Sequence, residues 1–205
     1  MLVKQLPDWN ETPDTWFIAH PTKTMMAIDN GKVSTEASEY TRTMISKKKN
    51  FNIVLADKNK DDSVLTVWLM NTPAISDNRY YLTITITNLA KLHNKDIFID
   101  FIKRVLANMP WECKYILIDT EQYKMNQKSV FKDRLAVGWM LYTPQIIPQS
   151  PALPPNKIFY CENDSGTIIV SKDNFDGKDP IDIKTANDVE IELAANGYLP
   201  LLENI

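Results

Sequence analysis

The most enzyme-like arrangement in the chain is Glu112-Cys113-Lys114, which leads into the apolar run Tyr115 to Asp119. A Glu-x-Lys on a strand can supply one magnesium-binding carboxylate and a lysine that orients an attacking water, but the cation needs a further carboxylate from the preceding strand. The preceding strand-like segment, Tyr80 to Thr87, holds none. The motif therefore reads as a solvated strand entrance. A Cys-His nucleophile could be assembled in space from Cys113 or Cys161 with His93, yet no local signature accompanies either thiol. The two histidines, His20 and His93, are distant in sequence and neither has a ligand pair at helical spacing, so no metal site is indicated.

Glycine-rich phosphate-cradling loops are excluded on composition. Loops that cradle phosphate need two or three glycines within a few residues so that backbone N–H groups can approach the anion. Average usage of about 7% would give roughly 14 glycines in a chain of this length. There are 5 in 205 residues, at positions 31, 138, 166, 177 and 197. No cofactor is indicated. Lys+Arg number 23 and Asp+Glu 26, a net charge of −3, so no polyanion is expected as a direct partner. The lysine triplet Lys47-Lys48-Lys49 ends an expected helix, where cations suit the macrodipole, and no aromatic interleaves with it.

The first nine residues carry no apolar stretch of signal-peptide length, so a cytosolic start is expected. The uncharged run from Leu135 to Asn156 contains five prolines, which forbid a continuous membrane-spanning helix. Two cysteines without Cys-x-x-Cys spacing fit buried free thiols in a reducing compartment.

Elements must position any site, and the pattern supplies several. Residues 1–34 read as a Pro-interrupted, irregular N-terminal segment. Thr35 to Lys49 follows with helical periodicity, placing Ala37, Tyr40, Met44 and Ile45 on one side. Phe51–Ala56 and Ser63–Met70 read as a hairpin around the charged loop Asp57 to Asp62, and Tyr80–Thr87 alternates with period two. Lys95–Asn108 is an amphipathic helix capped by Asn94. Tyr115–Asp119 and Leu135–Tyr142 read as central or well-covered strands, and residues 144–156 as a stiff, extended Pro-rich connection. Lys157–Cys161 and Thr167–Ser171 are two more short strands. In the final helix Asp179 caps and Pro180 takes the first position. Ile183, Ala186, Val189 and Leu193 form its buried stripe, Gly197 ends it, and Pro200 prevents a restart. Strands and helices mix without a βαβ repeat. The expectation is a single α+β domain with a mostly antiparallel sheet and flanking helices.

Val137-Gly138-Trp139-Met140-Leu141-Tyr142, Gly166-Thr167-Ile168-Ile169-Val170, Phe175-Asp176 and Asp179-Pro180, with Ala186, Glu190, Leu193 and Gly197-Tyr198-Leu199-Pro200, resemble the immunity protein 52 family of bacterial polymorphic toxin systems. Leu65-Thr66-Val67-Trp68, the strand Leu82 to Ile86, and Pro110-Trp111 extend the resemblance to about two thirds of the chain. The family's N-terminal Trp-Gly motif is missing, and Trp16-Phe17 stands nearest to it. The resemblance implies a non-enzymatic, cytoplasmic inhibitor of a toxin delivered between bacteria by a type VI secretion route, with a nuclease effector domain as its cognate partner.

Inhibition would mean occluding the toxin's basic active surface with acidic side chains. Candidates in expected loops are Asp57, Asp61, Asp62, Asp77, Glu121, Asp164, Asp173 and Asp176. Trp9 and Trp16, in the N-terminal stretch, either clamp that segment to the core or form a partner-binding surface. Two other readings stay open: an adaptor or chaperone that binds an effector without inhibiting it, and a small hydrolase using the Cys or Glu-x-Lys groups.

Overall fold

A computed structural model of the chain describes residues 14–19, 22–47, 52–56, 65–70, 81–86, 94–109, 112–120, 128–150, 153–161 and 165–204. The architecture is α+β with antiparallel strand pairing, as the sequence pattern implies. The strands form two sheets where one was expected. Each sheet belongs to its own compact unit, Leu6–Ala90 or Lys91–Ile205.

The first unit is a six-stranded sheet in the order β3-β2-β1-β4-β5-β6 with helix α1, Thr35–Lys47. Its strands are β1 Thr15–Ala19, β2 Thr24–Asp29, β3 Lys32–Val33, β4 Asn52–Ala56, β5 Leu65–Met70 and β6 Tyr81–Ile86. The expected irregular segment 1–34 is thus corrected: three of these strands lie within it. The prolines at 13 and 21 bracket β1 and leave its interior free to pair. Between β2 and β3, Asn30 and Gly31 both take positive φ, 44° and 73°, so Asn-Gly makes the tight turn that closes this hairpin. On the sheet, Ile18, Met25 and Ala27 are buried, and Ala37 and Tyr40 of α1 pack against them. Ile45, expected on the same stripe, is 44% exposed near the helix end. The hairpin β4–β5 pairs Asn52 with Met70 through Ala56 with Thr66, as expected.

The second unit has α2, Lys95–Asn108, a four-stranded sheet in the order β7-β8-β10-β9, and α3, Pro180–Ala195. Its strands are β7 Ile116–Ile118, β8 Met140–Thr143, β9 Ile158–Tyr160 and β10 Thr167–Val170. Helix α2 keeps its expected bounds. The Asn94 side chain accepts from the N–H of Asp96 at 2.9 Å, and Phe98, Ile99, Phe101, Ile102 and Val105 are buried. All eight residues of the central strands β8 and β10 are buried, which is why neither segment alternates in polarity. The expected strand Leu135–Tyr142 begins only at Met140. Gly138 holds φ at +56° and breaks the extended backbone before it. β7, expected to be central or well covered, is an edge strand with three half-buried residues.

The Pro-rich connection is also corrected, from a spacer to a packed strap. Ile147 and Leu153 are 1% and 2% exposed and join the core of Leu141, Ile169, Val189, Leu193 and Leu199. Thr167 Oγ1 donates to the carbonyl of Gln145 at 2.7 Å and accepts from the N–H of Ile147 at 3.0 Å, which satisfies backbone groups that no ladder reaches. Each fully buried aliphatic side chain here contributes about 1.5–3 kcal/mol. No helix among the described residues is long and apolar enough to cross a membrane.

Candidate partner-binding surface

The turn that enters α3 is a polar surface fixed by several buried anchors. It starts at Ser171, fully buried, whose Oγ donates to the carbonyls of Gly138 at 2.9 Å and Trp139 at 3.0 Å. The Trp139 indole N–H donates to the carbonyl of Lys172 at 2.8 Å, and its ring meets Phe98 edge-on at 5.1 Å. Phe175 then plugs into the core at 3% exposure. Asp173 between these anchors and Asp176 directly after Phe175 are exposed at the surface.

The second half of the turn is fixed from below by a carboxylate. Asp182, 3% exposed, accepts from the backbone N–H of Asp176 at 2.8 Å and pairs with the Lys172 ammonium. The hydrogen bond from Lys172 to Asp182 raises the lysine above its ordinary value. Asp176 Oδ1 accepts from the N–H of Lys178 at 2.9 Å, and Asp179 caps α3 by accepting from the N–H of Ile181 at 2.8 Å. Asp173 pairs with Lys95 of α2 at 2.6 Å while remaining 65% exposed.

Beside the turn, Lys128, Gly177, Lys178, Pro180, Ile183, Lys184 and Asn187 line an open groove of about 460 Å³. The surface is therefore of mixed sign, with carboxylates on the turn and lysines along the groove. Such a pattern selects a partner by register of charges more than by net charge.

Of the candidates named from sequence, Asp173 and Asp176 are brought into this one turn. Of the two readings of Trp16, burial at 1% exposure places it in the core and removes it from the partner-binding candidates. Trp9, Asp57, Asp61, Asp62, Asp77, Glu121 and Asp164 lie outside the described residues. Pattern reasoning assigned no role to Asp182 or Glu190. Glu190, 1% exposed, accepts from the N–H of Val137 at 3.1 Å and of Val130 at 2.8 Å, tying the segment before β8 to α3. The signal was there, since 182, 186, 189, 190 and 193 share one helical face. Ile183, expected in that stripe, is half-buried at the groove.

Of the enzyme-like groups, His20 and His93 lie outside the described residues. Lys114 is paired with Glu112 at 2.6 Å, both largely exposed. Burial pushes both thiols up, Cys113 and Cys161 alike, with Lys103 partly offsetting the second, which is the wrong direction for an activated nucleophile. Among the described residues no three His, Cys, Asp or Glu side chains gather as a metal site. Compared with protein-family models and with curated proteins, the chain matches none.

Proposed function

We propose that the chain is a cytoplasmic immunity protein that binds a cognate antibacterial toxin, a nuclease effector domain delivered by a type VI route, and neutralises it by occluding its active surface. The observation that supports this is the acidic turn at Asp173 and Asp176, held at the surface by buried Phe175 and Asp182. A preorganised turn avoids part of the ordering cost of association, and its carboxylates suit the basic cleft of a nuclease. The residues that carry the family resemblance serve as the turn's supports. Trp139 and Gly138 anchor Ser171 and Lys172, Asp179 and Pro180 start α3, and Ala186 and Leu193 seat it in the core.

The test is protection. A cell expressing the toxin domain encoded by the adjacent gene should survive when the wild-type chain is co-expressed. The charge reversal Asp173→Lys with Asp176→Lys should bind the purified toxin more slowly, with a flatter salt dependence, and protect poorly. Binding without protection would turn the reading into that of an adaptor or chaperone. Protection undiminished by the reversal would move the contact elsewhere.

A further inference from the structure

The turn that displays Asp173 and Asp176 is also held from α2, through Lys95. This lysine is the first residue of the helix, where a cation opposes the macrodipole, so helix formation does not call for it. Its ammonium meets Asp173 Oδ1 at 2.6 Å, with its own side chain 19% exposed and that of Asp173 65% exposed. The contact is fixed from one helical turn further on. Phe98 shares the face of Lys95 and packs edge-on against Trp139, whose indole N–H holds the carbonyl of Lys172, the residue before Asp173. Buried rings thus set the helix against the turn where the lysine reaches one carboxylate. Asp176 is placed differently. Its Oδ1 accepts from the N–H of Lys178, and among the described residues it has no ion pair. The two carboxylates are therefore unequal, Asp173 compensated by a cation and Asp176 not.

We infer, resting on the reading of the turn as the surface that meets a toxin's basic cleft, that Lys95 is a built-in counter-ion that guards Asp173. Asp176 attracts the basic partner, and Asp173 engages it only when Lys95 is displaced. A cation beside an acidic turn lowers the potential that steers a basic partner, and repels that partner at contact. A carboxylate already paired gains less from a new cation, because the first pair must be broken. With Asp173 so exposed, the pair contributes little to the stability of the fold. Removing its charge therefore changes the surface and leaves the fold in place.

A deca-arginine peptide stands in for a basic cleft, added at low salt to isotopically labelled chain and followed by amide shifts at residues 173–178. With Lys95 present, Asp176→Asn should weaken peptide binding about two- to fivefold, and Asp173→Asn should weaken it less. Lys95→Met keeps the aliphatic stem without the charge and should tighten binding. In that background Asp173→Asn should weaken binding as much as Asp176→Asn does. Lys95→Arg keeps the charge and should behave as wild type. Equal losses for the two Asn variants with Lys95 in place would overturn the inference, a comparison that needs no change at Lys95. Lys95→Met binding no tighter than Lys95→Arg would overturn it as well. If the expected peptide order appears while the chain neither binds the toxin domain nor protects against it, the guard stands and the immunity reading falls.

Discussion

The buried carboxylate of Asp182 accepts a hydrogen bond from the backbone N–H of Asp176 at 2.8 Å, so a residue in the first turn of the last helix sets the conformation of the loop preceding it. The same carboxylate holds Lys172, and one side chain thereby closes the turn that displays Asp173 and Asp176. Replacing Asp182 with Ala should cost about 1.5–3 kcal/mol, the range for a hydrogen bond to a charged acceptor. Asp182→Asn should cost less, because an amide oxygen can still accept from Asp176. Urea denaturation of the two variants checks the order, and equal losses would show that the bond to Asp176 is not the main contribution.

Glu190 makes the parallel connection on the next part of the helix face. Its two oxygens serve the N–H groups of Val137 and Val130, so Glu190→Ala leaves both donors without that acceptor, at about 1–3 kcal/mol for a buried one. Glu190→Gln keeps one oxygen and should fall between Ala and wild type. Hydrogen exchange at residues 130 and 137 should accelerate in both variants, more strongly in Glu190→Ala.

The helix face also predicts a contrast between two apolar positions. Leu193 is fully buried among Leu141, Ile169 and Leu199, and Leu193→Ala should lower stability by about 2–5 kcal/mol. Ile183 borders the open groove, and Ile183→Ala should cost less than the full-burial range. Similar melting temperatures for the two variants would contradict this assignment of faces.

Tyr142 supplies the pH dependence. Burial, followed by the nearby Cys161 and Cys113, pushes its phenol up to about 12. Its hydroxyl donates to the carbonyl of Ser165 at 2.9 Å. The folded chain keeps this proton where the unfolded chain releases it near pH 10, so the associated stability is present below pH 10 and is lost as pH rises from about 10 to 12. In an alkaline titration followed by tyrosinate absorbance, one phenol should ionise late while the chain stays folded. Tyr142→Phe should remove that late component and flatten the alkaline loss of stability.

Sequence by itself determined the α+β class, the antiparallel sense of the strands and the bounds of the second and third helices. These rest on local chemistry: Asn94 and Asp179 cap, Pro180 starts and Gly197, with φ at +75°, stops. A residue and its neighbours three or four positions away carry all of that information. The β2–β3 hairpin carried a turn signal in Asn30-Gly31, but the prolines in that stretch led to a reading of irregular chain. Tertiary structure alone decided which faces are covered. It placed Trp16 in the core, put β7 at an edge, and divided the strands between two sheets. It also turned a proline-rich connection into a strap that carries Ile147 and Leu153 into the interior. The clearest case is α3, where two carboxylates occupy the buried face. Their partners are backbone N–H groups at 130, 137 and 176 together with Lys172, and a buried carboxylate is tolerated only where such donors arrive. Val130 is 60 residues from Glu190 in sequence, so no local pattern around the helix could announce that the donor would be there.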